Sequence, residues 1–345
     1  MSLEPKQLGQ GFRPSVADFL RCGYSSLSTL REELGLSRAF VFPGQGAQAI
    51  GMGRALAEAY PAARAVFDEV DEALGVKLSQ VIWEGDIAEL TLTQNAQPAL
   101  MATSMAAMAA LATEGIGIED AAFVAGHSLG EYSALCAVGS LTISDTARLL
   151  QIRGRAMQEA VPVGIGAMAV LLGLNFADAV DVAAEAAQDE VCQAANDNDP
   201  AQVVISGHTA AVARAVEIAK ARGARRAMIL PVSAPFHCAL MQPAAAVMAE
   251  ALAGVTFLAP KIPIVVNVRA EAVTEPDRIR ALLVAQVTGS VRWRESVLWM
   301  SGAGVTDFWE IGAGKALSGM IKRIVEGEVT LRAIGTPQDV IGAKS

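Results

Sequence analysis

The feature that most restricts the fold is a serine held between two glycines, directly after a short apolar segment. The stretch reads AAFVAGHSLGEYSAL, with Ser128 flanked by Gly126 and Gly130. Residues 121–126 have the continuous apolar character of a buried strand, and the residues after the serine have the pattern of a helix. A sharp strand-to-helix turn needs glycines because a Cβ atom on either side of the serine would clash. The stretch predicts an α/β fold with a parallel sheet, in which a nucleophile elbow raises the Ser128 hydroxyl above the sheet.

The remaining pattern indicates a smaller unit inserted into the α/β domain. Between residues 163 and 231 the predicted elements follow the order β-α-β-β-α-β, which is typical of ferredoxin-like α+β domains. Strands and helices alternate on both sides of this unit. Aromatic residues make up only 5% of the chain, as suits helices packed closely on a parallel sheet. We therefore predict a large α/β domain from residues 37–162 and 232–335, and a small ferredoxin-like domain from residues 163–231.

The two ends of the chain stand apart from these domains. Residues 1–36 mix glycine, proline and serine-rich segments. A tag, an over-long start or a loose arm explains them better than a catalytic role. The acid Glu4 and the lack of a long apolar core argue against a secretory signal. We expect residues 336–345 to form a C-terminal tail.

Composition excludes several classes of function. The formal net charge is −9 and basic residues form no cluster, which argues against a nucleic-acid partner. No apolar run reaches membrane-spanning length. The four cysteines have neither metal-ligand spacing nor a disulfide framework, so we expect reduced thiols in a cytoplasmic protein that needs no metal and no cofactor. These cysteines are Cys22, Cys136, Cys192 and Cys238.

An activated serine needs a base, and the chain contains only three histidines. His127 is adjacent to Ser128, and neighbours on a tight turn usually point apart, so we expect it to support the elbow or the oxyanion. His208 lies at a strand-to-helix junction of the small domain, where capping or solvation explains it. His237 lies in the loop VSAPFHCALMQP, where the chain returns to the large domain. A buried structural histidine is the alternative there, but His237 is the best candidate for the base.

Five longer motifs carry a family resemblance. At FPGQGAQ, GHSLGEYSAL, RGRAMQEAVP, GAMAV and PFHCALMQPA, the chain resembles bacterial malonyl-CoA:acyl carrier protein transacylases, the free-standing relatives of acyltransferase domains. The resemblance extends from about Arg38 to about Thr330, in the order of the family. It implies transfer of a malonyl group from malonyl-CoA to acyl carrier protein in fatty-acid synthesis, by a monomeric enzyme.

The resemblance also implies catalytic roles. Ser128 matches the serine that becomes malonylated, and His237 matches the histidine that activates it. Gln45 in PGQG and the amide of Leu129 match the oxyanion hole. Gln286 matches a glutamine whose backbone carbonyl orients the histidine. From the residues alone, the Leu129 amide at a helix N-terminus already suits a developing negative charge.

The remaining implied roles concern the substrate. Arg153 matches the arginine that pairs with the free malonyl carboxylate, for which a planar guanidinium is suited; a surface arginine on a helix is the alternative. Phe236 matches the loop of malonyl-selective relatives, and its ring would fill the space that an α-methyl group needs. A role in packing alone is an equally weighted alternative for Phe236. We also expect His127 and Asn196 to contribute to the substrate site.

Two other functions are compatible with the serine motif. An α/β-hydrolase-type esterase or thioesterase shares the elbow, and Asp197 or Asp199 could serve as its acid. The inserted domain, Arg153 and the early FPGQG turn argue against it. An inactive module that docks a carrier protein is the non-enzymatic alternative, and the presence of Ser128, His237 and Arg153 disfavours it.

Overall fold

The structure of the protein is a computed structural model that describes residues 37–232 and 234–344. The predicted N-terminal extension, residues 1–36, lies outside the described residues. The strands are β1 (Arg38–Phe42), β2 (Phe123–Gly126), β3 (Gly166–Leu172), β4 (Cys192–Asp199), β5 (Gln202–His208), β6 (Arg226–Ile229), β7 (Ile264–Val266), β8 (Glu271–Val273), β9 (Asp307–Ile311) and β10 (Thr330–Ile334).

Helices connect most of the strands along the chain. They are α1 (Arg54–Ala59), α2 (Pro61–Leu74), α3 (Leu78–Glu84), α4 (Ile87–Thr91), α5 (Thr93–Thr113), α6 (Gly130–Ala137), α7 (Ile143–Glu159), α8 (Phe176–Ala187), α9 (Thr209–Ala221), α10 (Gln242–Ala253), α11 (Pro276–Thr288), α12 (Trp293–Gly302), α13 (Ala316–Ile324) and α14 (Pro337–Gly342). Within the described ranges, no helix is both long enough and apolar enough to cross a membrane.

The large sheet carries the elbow. Its strand order is β10-β9-β1-β2-β7-β8, and all neighbouring pairs are parallel except β7 with the edge strand β8. Strand β1 is buried on both faces: Phe40 and Phe42 enter one apolar core, while Ala39 and Val41 enter another. Helices therefore cover both faces of the sheet, as expected for parallel strands.

The small sheet is antiparallel, with the order β4-β5-β3-β6. Its strands and the helices α8 and α9 follow the predicted β-α-β-β-α-β order. One face of the sheet packs on the two helices, and the other face presents Met168, Val170 and Val204. This strand order matches the predicted ferredoxin-like arrangement. A separate inserted domain with boundaries at residues 163 and 231 stays a prediction.

Strand β4 contacts the segment between α11 and α12. Asp197 donates its amide to the carbonyl of Val291 at 3.0 Å, and Val291 donates its amide to the carbonyl of Ala195 at 2.8 Å. The buried carboxylates at the end of β4 also pair with arginines of the large domain: Asp197 with Arg294, and Asp199 with an arginine on α13. The sequence pattern predicted a strand over 191–196 followed by a polar turn. The strand instead continues to residue 199 because these acids find partners.

The pattern also missed several short elements. Strands β8 and β10 and helices α3, α4 and α14 were not predicted, since each has fewer than eight residues and a weak periodic signal. Helix α14 lies within the predicted tail of residues 336–345. It begins at Pro337 behind a capping box formed by Thr336 and Asp339, and it buries Val340.

The elbow requires the glycines that flank the serine. A Cβ atom at Gly126 would lie 1.9 Å from the carbonyl oxygen of Gly130, and one at Gly130 would lie 2.2 Å from the carbonyl oxygen of Phe42. The backbone of the elbow is therefore pressed against the end of β1. Only glycine permits so close an approach.

We predict that Gly130→Ala lowers the free energy of unfolding by about 3 kcal/mol or more, because backbone atoms of β1 would have to move. Gly302→Ala is the matched control: it also lies in a helix, but the added methyl group would meet no atom within 4 Å. This control should change stability by about 1 kcal/mol or less. Denaturant unfolding of both variants tests the prediction, and equal midpoints would contradict it.

Candidate active site

Ser128 lies two residues after the end of β2, in a backbone conformation that few non-glycine residues adopt. Its φ angle is 54°. Asn267 holds this conformation from the side: its Oδ1 accepts the Ser128 amide at 2.8 Å, and its Nδ2 donates to the Gly126 carbonyl at 2.7 Å. The strain of the elbow is thus offset by a side chain that follows β7.

The structure brings His237 to the serine. The distance between Ser128 Oγ and His237 Nε2 is 2.7 Å, and His237 Nδ1 lies 2.9 Å from the backbone carbonyl of Gln286. A carbonyl only accepts, so Nδ1 carries the proton and Nε2 is the free base. The arrangement can take the hydroxyl proton of Ser128 and return it to a leaving group.

His237 is neutral in this environment. Its side chain is buried, and burial lowers its pKa to about 3, with the nearby charge of Arg153 acting in the same direction. The hydrogen bond to Gln286 opposes this shift. Because the neutral imidazole is the form that accepts a proton, the base is available throughout the neutral and mildly acidic range.

Arg153 lies beside the serine as a buried cation. It projects from α7 and is only 1% exposed. Its Nη2 donates to Ser128 Oγ at 3.1 Å and to Gln286 Oε1 at 2.9 Å, and its Nη1 donates to Gln97 Oε1 at 2.8 Å. These acceptors are neutral, and no carboxylate within the described residues lies at ion-pair distance. A buried guanidinium with this environment favours an anionic ligand.

Gln286 forms hydrogen bonds to the predicted catalytic groups from the buried side of the site. Its side-chain Nε2 donates to the Ser128 carbonyl at 3.0 Å and to Glu131 Oε2 at 2.9 Å. Its carbonyl holds His237, and its Oε1 holds Arg153. This one buried residue of α11 therefore contacts Ser128, His237 and Arg153, which would act as the nucleophile, its base and the anion-binding group.

A cavity of about 970 Å³ opens above these residues, between the two sheets. Turns at the carboxyl ends of β1 and β2 form one side of it, and apolar side chains of the small sheet form the other. All of the predicted site residues line it except Gln286, which is buried behind it. The lining residues among them are Gln45, His127, Ser128, Leu129, Arg153, Asn196, Phe236 and His237.

The two predicted oxyanion donors lie in the turns that follow β1 and β2. Gln45 lies in the turn after β1, and Leu129 is the residue from which α6 begins. Within the described part of the chain, neither main-chain amide has a hydrogen-bond acceptor. Leu129 also has the positive end of a helix dipole behind it. The two amides are therefore available to a ligand atom.

The other histidines have structural partners. His127 Nε2 lies 2.9 Å from Asn198 Oδ1, and burial lowers the pKa of His127. His208 accepts the amide of Val191 at 2.9 Å, away from the cavity. Asn196 lies on β4 at the point where β4 meets residue 291. His127 thus connects the elbow to strand β4.

The acid that a hydrolase triad would require is not supplied by the two candidate aspartates. Asp197 accepts from Arg294 Nε at 3.0 Å, and Asp199 accepts from Arg323 Nε at 2.7 Å. The partner of His237 is instead the Gln286 carbonyl. In the part of the chain that the structure describes, no group of three or more His, Cys, Asp or Glu side chains could hold a metal ion.

Four contributing residues were not assigned roles by the sequence. Asn267 and Asn198 each make a hydrogen bond to the elbow, and Gln97 and Glu131 bind Arg153 and Gln286 respectively. Glu131 carried a signal: it is an acid within an otherwise apolar helix start, GEYSALCA, and it is fully buried. The other three are ordinary polar residues in sequence, and only the fold brings them to the site.

A serine on an elbow with a histidine 2.7 Å from its hydroxyl can carry an acyl group, and the buried guanidinium beside it can bind an anion. The fold and the site define a serine-dependent acyltransferase. Residues 39–326 match the acyl transferase domain family, so the chain belongs to that family.

Individual relatives agree with this assignment. The chain is 45% identical over 305 residues to the malonyl CoA-acyl carrier protein transacylase of Escherichia coli K12, covering 88% of this chain and 98% of that protein. The acyl-carrier-protein-S-malonyltransferase of Bartonella henselae has 53% identity and a TM-score of 0.87, with coverage of 89% and 98%. A malonyl-transacylase solved with its type II PKS acyl-carrier protein has 41% identity and a TM-score of 0.86, with coverage of 89% and 98%.

We predict that His237 makes the protein sensitive to acid. Its pKa is 6.5 in the unfolded chain and about 3 in the folded protein. The unfolded state therefore binds the proton more tightly, and the stability that the neutral histidine contributes above pH 6.5 is lost as the pH falls. Between pH 7.5 and pH 5 this loss is about 2 kcal/mol.

The His237→Gln variant should lose about 2 kcal/mol less than the wild type over the same interval. Denaturant unfolding at the two pH values measures this difference. His208→Gln controls for the replacement of a histidine outside the cavity. An identical loss in His237→Gln and the wild type would contradict the prediction.

Proposed function

We propose that the protein transfers a malonyl group from malonyl-CoA to the phosphopantetheine thiol of acyl carrier protein, through a malonyl ester on Ser128, and thereby supplies fatty-acid synthesis. The observation that carries the proposal is the position of Arg153. Its guanidinium lies 3.1 Å from the nucleophile oxygen and has no carboxylate partner among the described residues. The names of the relatives support the same substrate and acceptor.

In the first half-reaction, Ser128 is acylated. Its Oγ attacks the thioester carbonyl while His237 Nε2 takes the hydroxyl proton. The oxygen of the tetrahedral intermediate takes the negative charge, which the amides of Gln45 and Leu129 stabilise. The C–S bond then breaks, and the imidazolium returns its proton to the departing sulfur of coenzyme A.

The second half-reaction reverses these steps with a different thiol. The sulfur of the carrier's phosphopantetheine gives its proton to His237 and attacks the malonyl ester. Collapse of the second intermediate breaks the bond to Ser128, and His237 returns the proton to Oγ. The two thioesters are nearly equal in energy, so a ping-pong path through an ester suits the reaction.

Selectivity for malonyl over acetyl follows from charge. The free carboxylate of malonyl would form a bidentate pair with Arg153 in a buried site, through guanidinium N–H groups other than those that bind Gln97 and Gln286. An acetyl group offers no such partner. Gln97 and Gln286 would keep the guanidinium in place while the carboxylate binds.

The transacylase function is supported over a hydrolase. The relatives are named as transacylases, and the geometry around His237 uses a main-chain carbonyl in place of an acid. A docking module without activity would not need the 2.7 Å contact between Ser128 and His237.

Location, cofactor and assembly complete the proposal. We infer a cytoplasmic monomer that needs no cofactor and meets malonyl-CoA and acyl carrier protein at the same cavity, without a nucleic-acid or membrane partner. The described cysteines, Cys136, Cys192 and Cys238, are free and buried, as suits a reducing compartment. Burial raises the pKa of the Cys136 thiol to about 12, so this thiol is not a competing nucleophile.

We predict that brief exposure to malonyl-CoA adds one malonyl group, and that Ser128→Ala abolishes the adduct. Arg153→Ala should reduce malonylation by about 10²-fold or more while reducing acetylation from acetyl-CoA far less, because a charge-assisted bidentate pair is lost. Intact-mass spectrometry measures both adducts. Arg148→Ala is the matched control, since Arg148 lies on the same helix but is exposed.

Two results would contradict the proposal. Release of free coenzyme A without an adduct, continuing over many turnovers in the absence of carrier protein, would indicate a hydrolase. Equal loss of malonyl and acetyl transfer in Arg153→Ala would remove the carboxylate-binding role.

We further predict that Phe236 disfavours methylmalonyl groups. Its half-buried ring lines the cavity directly before His237. Phe236→Ala should raise the ratio of kcat/KM for methylmalonyl-CoA to that for malonyl-CoA about 10-fold, the size of effect expected for one methyl group. Phe176→Ala, a half-buried phenylalanine outside the cavity, is the control. An unchanged ratio in Phe236→Ala would assign the ring to packing alone.

A further inference from the structure

We propose that Glu131 is a positioning residue that fixes the nucleophile and its base relative to one another. A single carboxyl oxygen, Oε2, accepts the main-chain amide of Asn267 and the side-chain amide of Gln286, and these two residues support Ser128 and His237. The inference rests on the proposed function only in taking Ser128 as the nucleophile and His237 as its base. It concerns the alignment of these two groups and leaves the identity of the acyl group open.

The first supported residue is Asn267. Glu131 Oε2 accepts the main-chain amide of Asn267 at 2.9 Å. The side chain of Asn267 in turn accepts the Ser128 amide and donates to the Gly126 carbonyl. Glu131 therefore holds Asn267 in position, and through Asn267 it holds the main chain of the elbow.

The second supported residue is Gln286. Glu131 Oε2 accepts its side-chain Nε2 at 2.9 Å, while Arg153 donates to its Oε1 at 2.9 Å. A guanidinium can only donate, and Glu131 Oε2 accepts, so the side-chain amide of Gln286 has one permitted orientation. The same residue presents its main-chain carbonyl to His237 Nδ1.

Burial makes this arrangement rigid. Glu131 has no exposed surface, and its second oxygen, Oε1, has no hydrogen-bond partner in the described residues. Burial raises its pKa to about 7, against the opposing effects of Asn267, Gln286 and Arg153. In the protonated form the proton can reside on Oε1, which leaves Oε2 an acceptor. The two supporting hydrogen bonds therefore persist in both protonation states.

This property makes glutamine a faithful substitute. In Glu131→Gln the amide oxygen can accept both hydrogen bonds, and the amide nitrogen takes the place of Oε1. In Glu131→Leu the shape is similar but both acceptors are gone. The pair of variants separates the hydrogen bonds of Oε2 from the bulk of the side chain.

The experiment measures nucleophile reactivity without reference to malonyl. The full-length protein is treated with a fluorophosphonate, which labels an activated serine, and the labelling rate is followed by intact mass. Glu131→Leu should label about 10²-fold more slowly, since a displacement of about 1 Å between reacting groups has an effect of this order. Glu131→Gln should remain within about threefold of the wild type.

Malonyl transfer to acyl carrier protein provides the second measurement. The kcat of Glu131→Leu should fall in parallel with labelling. Its KM for malonyl-CoA should stay within about threefold of the wild type, because Arg153 retains Gln97. A defect of folding alone would lower the active fraction and not the rate per labelled molecule.

Asp71 supplies the matched controls. It is also a buried acid, and it accepts the amide and the hydroxyl of Ser79 at 2.8 and 2.7 Å, away from the cavity. Asp71→Asn and Asp71→Leu should label at the wild-type rate at temperatures where they are folded. Thermal unfolding of each variant defines those temperatures.

Two outcomes would overturn the inference: Glu131→Leu labelling at the wild-type rate, or Glu131→Gln labelling as slowly as Glu131→Leu. Failure of the proposed function gives a different result. If the wild type labels with fluorophosphonate but never forms a malonyl adduct, the proposed substrate is wrong, while the labelling series still tests Glu131.

Discussion

The arrangement around Ser128 depends on one buried residue, Gln286, through both its side-chain amide and its main-chain carbonyl. Hydrogen bonds within a buried site are strong and costly to leave unmade, and here one residue satisfies a base, a cation and a strained main chain together. Its helix, α11, turns a buried face toward the core, and Gln286 lies on that face with Ile279, Leu283 and Val287. A main-chain carbonyl cannot change its protonation state, so the orientation of His237 is insensitive to pH at this contact. In a serine hydrolase triad an acid would hold this position, and that acid would add a negative charge next to the base.

The sequence predicts the frame of the molecule well because its signals are local. The apolar strand before Ser128, the glycines that flank it and the β-α-β-β-α-β order of the small unit depend on residues close together in the chain. The family resemblance extended this to Ser128, His237, Arg153 and Gln286, which the structure places in contact.

The supporting residues could not be predicted in the same way. Asn267 lies 139 residues from the serine whose amide it accepts, and Gln97 lies 56 residues from Arg153. Their roles arise only when β7 and α5 are packed beside the elbow. The length of β4 was missed for the same reason, because the arginines that stabilise its acidic end belong to α12 and α13. Ion-pair partners that lie far apart in the chain produce no periodic pattern from which a sequence could predict them.

The position of the cavity between two independently cored units has a consequence for how such an enzyme can change. The attacking, activating and charge-binding groups all belong to the large domain, whereas the small sheet contributes an apolar wall that includes Met168, Val170 and Val204. That sheet has its own helices and its own core on the opposite face, so the apolar side chains of the wall can vary while the core of the large domain stays the same. A chain built this way can change the apolar side of its cavity in the small sheet while the residues that surround Ser128 stay the same.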